Sequence, residues 1–355
     1  MNNKYYDGTK LLSLSDINGN KPEIYMVTTN RTGGKTTYFN RLLMNRFIKN
    51  NEKFMLLYRF KGELTNVSEK FFKDIGSLFF PQYIMTEKKK EKGAYVELFL
   101  THKDKPKEKI LCGYAVALNA ADSIKRLSHL FSDVYRMLMD EFQSETNHYC
   151  IDEINKFKSV HTSVARGQGK QTRYVPVYML SNPVSLLNPY YSAMGVSARL
   201  NTETKYLKGD GYVVEQGFVE SASEAQLNSG FFRAFNGADD SYNAYSAQGI
   251  YLKDSCNFID NPKGRNRYIC TLKYKNKEFG IRVYDELGII HCDDKPDTSF
   301  KDKIAVTTED HDINYVMLKR NSDYLYRLKY YFEKGCFRFK DLKCKECVMC
   351  ALGSY

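Results

Sequence analysis

A run near the amino terminus, Thr29-Asn30-Arg31-Thr32-Gly33-Gly34-Lys35-Thr36, combines residue types that could hold a nucleotide. A phosphate cradle needs a tight turn with backbone N–H groups pointing inward, a lysine reaching the β and γ oxygens, and a hydroxyl on a magnesium ion. Gly33, Gly34, Lys35 and Thr36 supply those parts, and Thr37 continues the segment. The first glycine of the usual pattern is Thr29 here. The plainer alternative is a Gly-Gly turn with a threonine at a helix start.

Further along, the apolar run Val134 to Met139, interrupted by Arg136, ends in Asp140-Glu141. At the end of a parallel strand Asp140 would share the magnesium ion with Thr36, and Glu141 could polarise an attacking water, the arrangement of a Walker B motif with a catalytic glutamate. Alone, an acidic pair at a strand end is as well explained as a solvated loop. The segment Tyr178 to Pro183 reads as a neighbouring strand ending in Ser181-Asn182, placed to sense the γ-phosphate. A strand-ending turn before Pro183 explains it equally well. Cations that neutralise transition-state charge complete such a site. Arg31 lies inside the loop, and Arg166, in the flexible stretch Arg166-Gly167-Gln168-Gly169-Lys170, is a candidate to act on a neighbouring subunit.

These residues require an α/β scaffold. Glu23 to Thr28 is apolar and β-prone, and Thr36 to Lys49 carries Phe39, Leu42, Leu43 and Phe47 at helical spacing, which gives strand, loop, helix. Strand-length runs at Lys53 to Tyr58, Tyr114 to Leu118, Val134 to Met139 and Val175 to Leu180 continue the rhythm of a mostly parallel sheet. Two charged stretches, Glu87 to Lys92 and His102 to Lys109, flank Tyr95 to Phe99 and predict the turns of an inserted basic β-ribbon at about residues 82–112. Ser221 through Gln248 is small and polar, which suggests a linker element. From Arg267 three strands separated by turns (Tyr268 to Lys273, Glu278 to Tyr284, Ile289 to Cys292) precede helical periodicity from Glu309 onward, an α+β pattern.

The chain has 355 residues, which favours about two domains. Apolar residues make up 43%, with 28 Tyr and 22 Phe, enough for packed cores. Lys and Arg total 53 against 42 acids, a formal charge of +11 that suits a polyanionic partner or a basic solvated surface. Nine scattered cysteines, no secretory apolar region after Met1 and no run near the roughly 18 residues of a membrane span suggest a reducing cytoplasm, free thiols and no membrane partner.

In order and spacing the chain resembles the DNA-packaging ATPases of phi29-like bacteriophages. The resemblance is carried by Asn45 to Lys49, Arg59-Phe60-Lys61-Gly62-Glu63-Leu64, Asp140-Glu141-Phe142, Leu180 to Ser185 with Asn188-Pro189-Tyr190, Lys295-Pro296-Asp297-Thr298 and Thr307 to Asp310. It implies an ASCE/RecA-like P-loop domain over 1–220, a small linker domain over 221–257, and over 258–355 a C-terminal RNase H-like domain, vestigial as a nuclease and similar to that of large terminases. It also implies ATP as substrate, Mg2+ held by Thr36 and Asp140, and catalysis by Glu141 with Arg166 as a trans-acting finger. Lys125 falls where a second trans-acting cation is expected, and Arg59 and Lys61 where basic residues face the DNA. The implied assembly is a pentameric ring on the portal vertex of the prohead in the host cytoplasm. It drives double-stranded DNA inward, with a packaging RNA as a further candidate partner. The basic ribbon is longer than the family pattern.

An RNase H-like nuclease needs carboxylates converging on two metal ions about 4 Å apart. Tyr268 to Lys273 contains none, and Asp285, Asp293 and Asp294 fall at strand ends or turns, so the domain is expected to lack nuclease activity. Cys344, Cys347 and Cys350 are spaced like zinc ligands but lack a separated second pair, which favours free thiols. Two rivals remain: another P-loop DNA translocase or helicase, and a non-hydrolysing nucleic-acid-binding portal adaptor.

Overall fold

Strands that are apolar on both faces are expected at the covered centre of a parallel sheet, and Ile24–Thr28, Lys53–Tyr58 and Val177–Ser181 are buried along nearly their whole length. The computed structural model describes residues 4–146, 148–186, 188–197, 199–200, 204–234, 257–317 and 322–353. The chain divides into two compact units, Met1–Pro183 with Glu203–Ile250, and Val184–Thr202 with Tyr251–Tyr355.

The first unit is built on nine strands: β1 (Ile24–Thr28), β2 (Lys53–Tyr58), β3 (Tyr83–Lys90), β4 (Tyr95–His102), β5 (Lys109–Ala117), β6 (Val134–Asp140), β7 (Val177–Ser181), β8 (Tyr206–Gly209) and β9 (Tyr212–Gln216). Their order is β3-β4-β5-β2-β6-β7-β1-β9-β8. From β5 through β9 every neighbouring pair is parallel, while β3-β4, β4-β5 and β8-β9 are antiparallel. The helices are α1 (Thr9–Ser13), α2 (Lys35–Asn50), α3 (Val67–Phe79), α4 (Ala121–Arg126) and α5 (Glu153–Val164). A sixth helix, α6 (Pro189–Ala193), belongs to the second unit, and α7 (Glu220–Leu227) and α8 (Gly230–Ala234) return to the first.

The register brings the functional segments together. Thr28 pairs with Ser181 across β1 and β7, and Asp140 pairs with Leu180 across β6 and β7, so three strands end level at their carboxyl ends. On α2, Phe39, Leu43, Met44 and Phe47 are buried at the spacing of one helix face. Phe39 packs its ring against Tyr6 and Tyr178.

The expected ribbon is β3-β4-β5, with one correction. Glu87 to Lys90 continues strand β3, and only Glu91–Gly93 makes the turn, because Glu87 and Lys90 pair with Leu98 and Tyr95. β5 belongs equally to the main sheet through its pairing with β2, so the ribbon prolongs that sheet.

In the second unit the strands are β10 (Asn257–Phe258), β11 (Arg267–Tyr274), β12 (Lys277–Tyr284), β13 (Ile289–Asp293), β14 (Lys303–Ala305), β15 (Val316–Met317) and β16 (Phe337–Phe339). They form one sheet of order β10-β16-β13-β12-β11-β14-β15. β12 runs antiparallel to both neighbours, and β14 lies parallel to β11 and to β15. Those five strands have the order and directions of an RNase H-like sheet. Lys275 and Asn276 adopt positive φ (50° and 58°) in the tight turn between β11 and β12. The helical run expected from Glu309 begins at Ser322, because the residues before it supply β15, and β16 separates Ser322–Glu333 from the last helix, Leu342–Gly353. That last helix carries Cys344 and Cys347 into the core, where burial pushes the Cys347 thiol up.

The units divide the chain differently from the expected domains. Residues 184–202, expected with the P-loop domain, pack in the second unit, where Lys345 Nζ donates to the Leu200 carbonyl at 3.3 Å. The expected linker 221–257 begins with α7, which buries Ala222 in the core of the first unit. Its residues 235–256 lie outside those described. Among the described residues no helix is long and apolar enough to cross a membrane.

Phe39 is fully buried, so Phe39→Ala is expected to lower the unfolding free energy by about 3–5 kcal/mol. Chemical denaturation measures this, and a loss below about 1 kcal/mol would contradict the packing described.

Candidate nucleotide site

The chain leaves β1 at Thr28 and enters α2 at Lys35. Between them Thr32 (φ 59°) and Gly34 (φ 89°) take left-handed conformations. Left-handed residues set among right-handed ones form the concave backbone nest that binds anions, here at the start of a helix whose dipole adds to the effect. At Gly34 that φ explains why glycine is needed. The loop is anchored from outside. Asn30 accepts from the Val219 N–H at 2.9 Å and donates to the Val219 carbonyl at 3.0 Å, and the Tyr6 N–H donates to the Gly33 carbonyl at 2.7 Å.

Thr29, where a first glycine is usual, has no positive φ and is buried. Its methyl sits where Gly217 has no side chain, 3.0 Å from the position a Cβ would take there. The loop therefore keeps its shape with a threonine because the neighbouring strand end supplies the space.

Lys35 is 8% exposed and its Nζ donates to Asn182 Oδ1 at 2.7 Å. Thr36 Oγ1 donates to Asp140 Oδ2 at 2.9 Å, and the Glu141 N–H donates to Asp140 Oδ1 at 3.0 Å. Burial pulls the Lys35 amine below its ordinary range, against the attraction of Asp140 and Glu141. Burial also pushes the Asp140 carboxyl up, opposed by Lys35 and Thr36, and pushes Glu141 up with help from Asp140. A glutamate raised in this way is a better proton acceptor than an ordinary one. Hydroxyl and carboxylate oxygens are the hard donors magnesium prefers, so Thr36 and Asp140 fit that ion. The expected sensor pair divides: Asn182 meets Lys35, whereas the Ser181 hydroxyl donates to the Asn182 carbonyl at 2.7 Å. Thr37 is half-buried in the first turn of α2.

The arginines have separate fates. Arg31 forms an ion pair with Glu145, in the segment after Asp140-Glu141. Arg59, expected at the DNA, is 8% exposed and turned inward. Its Nε donates to Glu153 Oε1 at 3.0 Å, Nη1 donates to the Glu141 carbonyl at 2.9 Å, Nη2 reaches the Phe142 carbonyl, and the guanidinium lies over the Tyr149 ring. A guanidinium so engaged has no face left for a phosphate backbone; Lys61, two residues on, is exposed. Lys125 and Arg166 are also exposed, on α4 and just beyond α5, helices that pack together. The loop after Arg166 is tied to the beginning of β6 by Gln168 Nε2, which donates to the Ser132 carbonyl at 3.0 Å. Asp140 is at the other end of that seven-residue strand, roughly 20 Å away at about 3.3 Å per residue.

Two clefts flank the loop. One of about 380 Å³ is lined by Thr36, Arg59, Glu63, Asp140 and Glu141. The other, about 720 Å³, is lined by Tyr5, Lys10, Tyr206, Phe218 and Glu224 on the side of Val219, and sequence reasoning missed it because its walls come from both ends of the unit. Gln226 of α7 was missed for the same reason; its Nε2 donates to Thr32 Oγ1 at 2.8 Å.

A sheet with an extra strand between the P-loop strand and the acidic strand, and a glutamate following the acidic aspartate, defines an ASCE-type P-loop domain. Residues 1–352 match the family model of the podovirus DNA encapsidation protein (Gp16), and the chain belongs to that family. It is 25% identical over 339 residues to the DNA packaging protein of Bacillus phage phi29, covering 94% of this chain and 93% of the relative. To the DNA packaging protein of Bacillus phage B103 it is 23% identical over 314 residues, covering 86% and 87%. Its fold is similar to a chain of the bacteriophage phi29 viral genome packaging motor assembly, with a TM-score of 0.57 and 23% identity over 96% of each chain.

Removing the cation from a buried ion pair leaves Glu153 uncompensated, so Arg59→Leu is expected to cost about 3–5 kcal/mol of stability. Urea unfolding measures it. A change within about 0.5 kcal/mol, as at ordinary surface positions, would return Arg59 to the surface role.

Proposed function

We propose that the chain is an ATPase subunit of a homomeric ring that drives double-stranded DNA into a phage prohead. The observation that carries this reading is the meeting of Lys35, Thr36, Asp140, Glu141 and Asn182 at the carboxyl ends of neighbouring central strands, drawn from three separate segments. Magnesium, held by Thr36 and Asp140, would supply charge neutralisation on the phosphates. The backbone nest and Lys35 bind the β and γ oxygens, and the base of ATP enters the aromatic cleft beside Tyr5 and Phe218. Glu141 orients the attacking water and takes its proton, while Asn182, hydrogen-bonded to Lys35, responds to loss of the γ-phosphate.

Arg166 lies too far along β6 to reach the phosphates of its own subunit, which supports action on a neighbour. Lys125, exposed on the helix packed beside α5, is the second cation for that neighbour. A pentameric ring on the portal, in the host cytoplasm, provides the neighbour, and a packaging RNA is a further candidate partner. Lys61 contacts DNA phosphates, since a packaging motor must tolerate every sequence. The second unit acts without cutting DNA. Asp293 is held by Arg282 at 2.8 Å, Asp294 by Lys340 at 2.5 Å and Asp285 by Arg267 at 3.6 Å, and β11 offers no carboxylate.

Lys35→Ala should abolish ATP turnover. Arg166→Ala should bind ATP yet hydrolyse it roughly 10³- to 10⁵-fold more slowly. Rings mixing it with Glu141→Gln subunits, which supply the arginine, should recover turnover; full activity of Arg166→Ala rings alone would sink the trans assignment. Lys61→Ala should weaken DNA binding on all sequences and reduce the slope of log affinity against log salt by about 1. An unchanged slope would remove Lys61 from the DNA interface.

A further inference from the structure

The segment between the catalytic glutamate and the exposed Arg166 is held by two buried arginines, one at each end of α5. At the amino end, Arg59 joins the Glu141 and Phe142 carbonyls to Glu153, the first residue of the helix. Glu153 is 3% exposed, and its second oxygen accepts from the Cys150 N–H at 2.9 Å. Glu141 itself has φ 57°, a left-handed conformation that a β-carbon disfavours and that its surroundings must maintain.

At the carboxyl end, Arg173 is also buried. Its Nη2 donates to the Val164 carbonyl at 2.7 Å, Nη1 to the Val134 carbonyl at 3.1 Å and Nε to the Arg166 carbonyl at 3.4 Å. The Arg173 N–H donates to the Ala165 carbonyl at 2.7 Å. One guanidinium thus ties together the last turn of α5, the backbone of Arg166 and the first residue of β6. Between the clamps, Phe157, Val160 and Val164 bury one face of the helix. Its twelve residues span about 18 Å at 1.5 Å each, close to the length of β6, so the helix bridges the two ends of the acidic strand.

We propose that α5 is a strut coupling adjacent subunits, with Arg59 and Arg173 as its positioning residues. A change at Glu141 moves the Arg59–Glu153 clamp, the stiff helix carries the displacement, and Arg173 delivers it to the Arg166 presented to the neighbour. The proposal rests on the reading of Glu141 as catalytic and Arg166 as trans-acting.

Full-length subunits in mixed rings on proheads test it. The acceptor is Arg166→Ala, whose own cradle is intact. The donor is Glu141→Gln, whose own site is silent, so further changes in the donor are read only through the arginine it presents. Adding Arg173→Lys or Glu153→Gln to the donor should lower the rescued ATP turnover about 10- to 100-fold, as small misplacements of catalytic groups do. Donor nucleotide binding and ring assembly, measured in parallel, should be unchanged. Rescue by both double variants equal to that by Glu141→Gln alone would overturn the proposal. Loss with Arg173→Lys but not with Glu153→Gln would make the positioning local and overturn the coupling between sites. No rescue by the parent donor would remove the trans reading itself, and the strut with it.

Discussion

Holding one buried amine within reach of two carboxylates at the end of a nearby strand is the constraint on which the first unit depends. The loss of water around Lys35 is opposed by the two carboxylates, and Lys35 in turn opposes the repulsion by which Asp140 raises Glu141. Asp140 and Glu141 oppose the burial that lowers the Lys35 amine, and Asp140 is held in turn by Lys35 and the Thr36 hydroxyl. That balance requires the P-loop, the acidic strand and the sensor strand to end level. The sheet meets the requirement by placing β7 between β1 and β6 in parallel register. The crossover helices follow from the parallel arrangement, since parallel strands cannot be joined by tight turns.

Much of this was legible in the residues. The Gly-Gly-Lys-Thr turn, the Asp-Glu pair at a strand end and the α/β rhythm each rest on local pattern, and local pattern survives folding. So do the turns Lys275-Asn276 and Glu286 to Gly288, which punctuate the β11–β13 strands of the second unit. The polar end of β7 placed it beside the Walker strands, but the pairing of β9 with β1 was not legible, because strand order is decided by long-range pairing that no short window records. The short strands β14, β15 and β16 escaped for a related reason: two or three residues carry too little alternation to show.

Four arginines illustrate the limit most clearly. Arg31, Arg59, Arg166 and Arg173 are alike in sequence, yet one pairs with Glu145, two are buried as backbone clamps and one is exposed. The difference lies in partners far away along the chain. Glu153 is 94 residues from Arg59, and Val134 is 39 residues from Arg173. Thr29 teaches the same lesson in reverse. It breaks the usual glycine pattern locally, and the compensation sits at Gly217, on a strand end that sequence spacing did not connect to the loop.

We propose that each nucleotide site is completed by a residue of the neighbouring subunit. Imaging the full-length protein on its prohead, with DNA and a non-hydrolysable ATP analogue, tests it most directly. The guanidinium of Arg166 is expected within hydrogen-bonding distance of the γ-phosphate held by Lys35 and Thr36 of the adjacent subunit. A γ-phosphate contacted only by residues of its own subunit, with Arg166 facing solvent in every subunit, would contradict it.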